Sequence, residues 1–528
     1  MEHSASAAFP LFIDQNEIHL YYRLPSLGFD HPKNITLGQI AKCQRDHQLD
    51  CMPPCPSDQL PALEVRYPKT EVWRRVDETK KGISSDLNPA LRELLEGQHP
   101  ELLQRWKLSE LANRFLSRFD LFQESDSVES RAAREMRLIW SKAAAERLQE
   151  AGASTAPPVI KVNDLMLWIM GTGVAFAELS ITLEAEHTLT GSELTEAVAA
   201  LSRFNKIQWF RKGSDTPDCK NEATLGAVVR SLVFGHADAE TPRRRVPTYT
   251  FARLAEPAPI ALVEKTAAYL SRRYTSAYDF DLESKQLHFL RNFGNIRHVI
   301  SEEGAATLIV PDADGKVPQY LENFGSSALR SAYSPIALAA WHEQSFLTKG
   351  RAQTLEAKSE DASLDELNGI IDDALLFRLY FRHTHFSDIS MHNEFGEAFR
   401  SALKLDKKLV DLQQDVNAVH AKIVDARQAA EHKEEQSKYR RYYWISVVGG
   451  AALAGLTTYT ICKEVGVLAL YPDKTTAGWL AVAAGATVMI AAAILGFMRR
   501  PKKPKHGHHD GHLTLHAMQE HMIKRALQ

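Results

Sequence analysis

The stretch Thr457–Thr476, TTYTICKEVGVLALYPDKTT, decides how the chain is read: one apolar run ends at Lys463-Glu464 and a second begins shortly after it. Tyr442–Cys462 and Ala477–Met498 contain no Asp, Glu, Lys or Arg. Each matches the roughly 20 residues a helix needs to cross a hydrocarbon core of about 30 Å. The far flanks are basic, with Lys438, Arg440 and Arg441 before the first run and Arg499, Arg500, Lys502, Lys503 and Lys505 after the second. The joint carries only Lys463 and Lys474. This pattern predicts two transmembrane helices with both termini in the cytosol. Tyr442, Tyr443 and Trp444 would lie at the inner interface, and Tyr471 and Trp479 at the outer one. The expected location is the cell inner membrane, multi-pass, with the lipid bilayer as a partner.

Working outward, 528 residues with 44% hydrophobic content can bury two or three cores. A formal charge of -3 argues against nucleic acid as the main partner. Five cysteines fit a reducing compartment better than a disulfide framework. The opening MEHSASAAFPLFIDQNEIHL has no basic stretch followed by an apolar core, so no cleaved secretory signal is expected.

Five segments follow from patterning. Residues 1–155 form an additional N-terminal domain that combines the Pro-rich DCMPPCPSDQLP with a helical run over Leu87–Leu148. EAGASTAPP at 150–158 reads as a linker. Residues 156–325 read as a cytosolic α/β domain. There VIKVNDLMLWIMGTGVAFAELSITLEA predicts adjacent strands punctuated by Gly171 and Gly173, and TGSELTEAVAALSRF predicts a helix starting at Ser192. Residues 326–441 are a helical stalk region. From Phe395 through Ala398, Ala402, Leu405, Leu409 and Leu412, and on to Ala430, apolar residues alternate spacings of three and four, the seam of one long coiled-coil-like helix. With no Pro or Gly in the way, that helix is expected to run unbroken into the first span. Residues 442–498 are the transmembrane hairpin and 499–528 a basic, His-rich cytosolic tail. The predicted fold class is an α+β membrane protein with a cytosolic α/β domain, a long stalk helix and two C-terminal transmembrane helices.

This combination resembles the CorA family of divalent-cation transport proteins over roughly Val159 to Lys505. The segments WIMGTGVAFAELSI, ISEEGAATLIV and FRHTHFSDISMHNEF read like parts of divergent members. The resemblance implies a homo-oligomer, expected to be a pentamer, in which the first span lines a path for Mg²⁺ or another divalent metal cation and the cytosolic domain gates it. The family's Gly-Met-Asn triplet is missing; its place falls at Lys463–Gly466, KEVG, so that ion-recognition chemistry does not carry over. A second expectation is a ligand-gated membrane effector, like the CorA-like proteins of type III CRISPR antiviral defence, answering a nucleotide messenger. A third is a membrane-anchored scaffold.

Within the first span Ser446, Gly450, Ala454, Thr457, Thr460 and Glu464 recur every three or four residues, and Leu453 falls in the same arc. Hydroxyls and a terminal carboxylate suit a hydrated cation, with Leu453 as a dewetting constriction. The same small face also suits plain helix packing, and both readings stand. At about 100° per residue this face lies roughly 160° from the stalk seam. The preferred account is that the seam packs on helices 326–386 of its own subunit while the opposite face looks to an axis.

Cys43, His47, Cys51 and Cys55, spaced four apart, admit a structural Zn²⁺ set, with unrelated reduced cysteines as the preferred alternative. In the tail, His506, His508, His509 and His512 form a tract that binds transition metals, or else a solvated extension of the basic flank. The GTG at 171–173 is too short for a phosphate loop, and no nucleophile elbow or His-Glu-x-x-His occurs. His383, His385 and His392 read as packing and capping residues. No catalysis is expected.

Overall fold

A computed structural model of the chain describes residues 11–39, 69, 71–76, 83–109, 112, 136–140, 142–151, 157–202, 206–211, 223–235, 246–275, 278, 282, 286–356 and 364–464, with 479, 483, 486, 487 and 491. They divide into two compact units, residues 1–420 and 421–528.

The first unit is built on one mixed sheet. Its strands are β1 (Phe12–Leu24), β2 (Trp73–Arg75), β3 (Leu103–Leu108), β4 (Met136–Trp140), β5 (Val159–Met170), β6 (Val174–Glu184), β7 (Leu189–Thr190), β8 (Lys206–Arg211), β9 (Ala223–Thr224), β10 (Thr248–Leu254), β11 (His288–Phe293), β12 (Ile296–Ile300) and β13 (Gly304–Ile309). The main path runs β11-β12-β13-β10-β1-β6-β5-β4-β8-β9. The N-terminal strand β1 therefore lies inside the sheet, pairing Leu20 with Leu179 of β6 and His19 with Tyr249 of β10. The stretch 150–158 joins elements of this same sheet, since Leu138 of β4 pairs with Ile160 of β5.

Alternation along the central strands sorts two faces. Ile18, Leu20, Leu165, Leu167, Leu179 and Ile181 enter one core. Helices α3 (Gly191–Ser202), α4 (Leu225–Phe234) and α5 (Ile260–Arg272) supply Leu194, Val198, Val229 and Val263 to it. Tyr21, Trp168, Phe176, Tyr249 and Phe251 enter a second core with Trp341, Phe377 and Phe399. These come from α7 (Ser334–Glu356), α8 (Leu364–Tyr380) and α9 (Ser390–Ala402). The other α-helices among the described residues are α1 (Pro89–Glu96), α2 (Lys142–Ala151), α6 (Gln319–Glu322) and α10 (Leu405–Glu464).

Local chemistry explains several boundaries. The β5–β6 hairpin turns at Gly171-Thr172-Gly173, where Gly173 adopts φ 71°, a conformation that disfavours a side chain. Thr172 Oγ1 lies 2.7 Å from His342 Nε2, and Lys349 Nζ donates to the Thr172 carbonyl at 2.8 Å, so this turn fastens the sheet to α7. The start of α3 is a reciprocal cap two residues before the expected Ser192. Glu193 N–H donates to Thr190 Oγ1 at 3.2 Å, and Thr190 N–H donates to Glu193 Oε2 at 2.8 Å. Within the predicted helical run Leu87–Leu148, Leu103–Leu108 is a strand because Trp106 pairs with Leu167 of β5, and strand preference follows such pairing.

β10 and β13 run parallel, and Gly304 begins β13 opposite Thr248. A Cβ at Gly304 would meet the Thr248 carbonyl oxygen at 2.4 Å and the Ser271 carbonyl oxygen at 3.1 Å, both backbone atoms that cannot swing away. Gly304→Ala is expected to cost about 2–3 kcal/mol or more, read as a lower denaturant midpoint. An unchanged midpoint would refute this close approach.

The C-terminal expectation needs correction. Among the described residues no helix is long and apolar enough to cross a membrane. The described residues form an α+β fold with a mixed sheet and no membrane-spanning helix, which corrects the expected α+β membrane fold class, and a multi-pass inner-membrane placement is not supported. The first expected span, Tyr442–Cys462, is the end of α10. Its apolar character is thinned by Gly449, Gly450 and the hydroxyls of Ser446, Thr457 and Thr460. The second, Ala477–Met498, lies outside the described residues apart from five positions. The expected unbroken stalk also differs: α9 ends at Ala402, Lys404 adopts φ 54°, and α10 starts at Leu405.

Candidate functional site

The most concentrated chemistry among the described residues is a buried ionic cluster on the α7 side of the sheet. β1 carries Glu17, His19 and Tyr21 on the face opposite Ile18 and Leu20, and β6 carries Glu178 and Ser180 beside them. The π-helical turn Leu329–Tyr333 runs straight into α7 and sets Arg330 and Ser334 over this face.

His19 Nδ1 lies 2.8 Å from Glu178 Oε1 and His19 Nε2 lies 3.1 Å from Glu17 Oε1. Arg330 donates to Glu17 Oε1 at 2.6 and 3.0 Å, and Ser180 Oγ donates to the same oxygen at 2.6 Å. Glu178 is enclosed by donors from Ser334 Oγ at 2.6 Å, Trp168 Nε1 at 2.9 Å and Tyr21 Oη at 3.2 Å. Glu17, His19, Tyr21, Glu178 and Ser334 are all buried.

Burial opposes each charge, and the partners overcome it. Burial pulls the His19 imidazole down, but hydrogen bonds and charge from Glu17 and Glu178 raise it to about 9. Burial pushes the Glu17 carboxyl up, but His19, Arg330 and Ser180 lower it to about 2. Glu178 is likewise held below the usual carboxylate range against burial, by His19, Ser334 and Trp168. Two carboxylates thus balance an imidazolium and a guanidinium. The cluster ties β1, β6 and the start of α7 together, and its buried groups act as a charged staple.

Sequence reasoning passed over these residues. Their signal is Glu17 and His19 alternating with Ile18 and Leu20, and Glu178 and Ser180 alternating with Ala177 and Leu179: polar side chains at period two inside otherwise apolar strands.

A second arrangement lies on α10. Its seam reaches the head: Leu412 is buried, a Cβ at Gly350 of α7 would stand 3.1 Å from Leu412 Cδ2, and Arg351 lies 3.5 Å from Asp415. Leu409 and Val416 join the same core, and Val419 is buried. The preferred seam account, packing on the chain's own helices, matches these contacts.

From residue 428 to 446 the side chains of α10 are exposed, with Tyr439 at 75%, and farther on Leu453 is 68% exposed. Ser446, Gly450, Leu453, Ala454, Thr457, Thr460 and Glu464 all lie on this helix. Ser446, Gly450, Leu453, Thr457 and Thr460 are exposed, whereas the side chains of Ala454 and Glu464 are outside the description. Thr457 Oγ1 donates to the Leu453 carbonyl at 2.6 Å. At about 100° per residue, Tyr439, Tyr442 and Tyr443 share the arc of Ser446, Gly450 and Leu453.

Cys43, His47, Cys51 and Cys55, and the tail residues His506, His508, His509 and His512, lie outside the described residues. Among the described residues no group of three or more His, Cys, Asp or Glu side chains is arranged to hold a metal ion. His383, His385 and His392 are described. His392 Nδ1 lies 2.9 Å from Ser387 Oγ near the start of α9, and burial lowers the imidazoles of His383, to about 4, and His392. No family model matches the chain, and no curated protein matches it.

Proposed function

We propose that the chain works as a homo-oligomer in which copies of α10 gather around a common axis, the α+β head sets their arrangement, and the axis holds a hydrated divalent cation. The observation carrying this reading is the exposure of the second half of α10. Leu412, near the start of the helix, packs on the chain's own α7, whereas the arc of Tyr439, Ser446, Leu453 and Thr460 is exposed. An isolated helix of this kind gains little stability alone and needs a packed face. Trp444, Ile445 and Val448 extend the exposed apolar surface beyond that arc. Contact with two neighbouring copies would cover both flanks, which favours a closed ring. A Cβ at Gly449 or Gly450 meets nothing within 4 Å, so a neighbouring backbone can come close there.

The hydroxyls of Ser446, Thr457 and Thr460, followed by Glu464, support a cation as the ligand of the axis, since such oxygens suit Mg²⁺ with its water shell. A ring of Glu464 carboxylates would repel itself unless a cation sat among them. Calorimetric titration of the intact chain with MgCl2 should give saturable binding at less than one ion per chain. Glu464→Ala should weaken it at least tenfold, and Thr457→Leu should weaken it less. Identical isotherms for the parent and both variants, or no binding at all, would refute the cation part of this reading.

A further inference from the structure

The joint between α9 and α10 sets the sequence against the backbone. The apolar seam runs from Phe395 through Ala402, Leu405 and Leu412 without a change of phase, and no Gly or Pro occurs from Glu397 to Val448. Such a sequence favours one continuous helix. The backbone instead breaks, with Lys404 in the left-handed region at φ 54°, where an unbranched cationic residue has no advantage. Leu403 and Leu405 on either side are both fully buried.

Four charged groups hold the break. Arg400, in the last turn of α9, donates to Glu343 Oε2 of α7 at 3.1 Å and to Asp406 Oδ1, in the first turn of α10, at 2.5 Å. Arg382, from the segment between α8 and α9, donates to Asp406 Oδ1 at 2.7 Å and places its Nε 3.4 Å from Glu343 Oε1. Asp406 is thus bound by two guanidiniums at the positive end of α10. Glu343 is buried, while the Asp406 side chain is 69% exposed. The outer member of the clamp is therefore the one open to competition from solvent.

We propose that the α9–α10 joint is a two-state switch: bent at Lys404 while Arg382 and Arg400 clamp Asp406 toward Glu343, and continuous through residues 390–464 when that clamp opens. This deepens the reading of α10 as the element the head controls. A local preference that conflicts with the observed backbone marks a place where two arrangements lie close in free energy, and a binding event favouring one shifts the population.

Spin labels on Glu397→Cys and Gln413→Cys, both exposed sites, report the joint within one chain. The full-length protein is used, with other cysteines replaced and labelled chains diluted in unlabelled ones. In a continuous helix the two positions are about 24 Å apart along the axis. The parent should show a shorter distance. Asp406→Asn, which alters an exposed side chain, should add a component near the straight-helix distance. Lys404→Gly on top of it should reduce that component about tenfold, because glycine favours the left-handed bend. Arg382→Gln provides a second opening variant. The proposal fails if neither variant adds the longer component, or if Lys404→Gly does not remove it. Because the distance is intrachain, it is read separately from the mass of the assembly, which tests self-association.

Discussion

His19→Ala is expected to destabilise the head by about 3–5 kcal/mol at neutral pH, because it leaves Glu17 and Glu178 buried and facing each other without the cation between them. For a unit of this size that corresponds to a fall in Tm of roughly 5 °C. The pH profile identifies the cause. The parent imidazole has a folded pKa raised from 6.5 to about 9. Its contribution of about 3 kcal/mol is fully present below pH 6.5 and is lost as pH rises through about 9. Glu17 has a folded pKa lowered from 4.5 to about 2. The stability from this same ion pair is present above pH 4.5 and lost as pH falls through about 2.

The parent should therefore be most stable between these limits. In His19→Ala the alkaline loss from this group should vanish, and mild acid should stabilise the variant because protonation of one carboxylate relieves the repulsion. Parallel profiles for parent and variant would show that the destabilisation comes from lost packing, and the charged staple would be wrong.

The second large effect concerns α10. Leu453→Asp places a carboxylate in the middle of the open arc, where copies of the helix are expected to meet. A buried, unpaired charge at a helix interface costs several kcal/mol per contact. Self-association should weaken by at least a hundredfold, while the melting of the head stays within about 0.5 kcal/mol of the parent, since the position is exposed within one chain. Gly450→Leu tests the same face by bulk: it fills the space where a Cβ meets nothing in the single chain. Should both variants assemble as the parent does, the face is not the interface.

Parts of this architecture could be read before folding. The period of the seam anticipated Leu412 and Val419 as buried, because apolar side chains at alternate spacings of three and four can only share one side of a helix. Gly171 and Gly173 marked the β5–β6 turn for an equally local reason. What stayed hidden depends on distant partners. β1 enters the sheet through pairing with β6 and β10, more than 150 residues away in sequence, and nothing in its own composition names those neighbours. Lys404 breaks the helix through tertiary clamping by Arg382 and Arg400, not through a residue that ends helices.

The run at Tyr442–Cys462 shows the opposite error. Charge-free length and basic flanks predict a membrane span, yet the same stretch forms the end of a 60-residue helix, and among the described residues no helix is long and apolar enough to cross a membrane. For the open face the sequence supplied the stripe of Ser446, Gly450, Leu453 and Thr457, and the structure adds that these residues are exposed within one chain.

Sedimentation equilibrium of the intact chain over a wide concentration range bears most directly on the central claim, that α10 is completed by copies of itself. The account predicts one closed multimer of more than two chains, dissociating as a unit on dilution. A mass equal to a single chain at every concentration, with or without MgCl2, would contradict it.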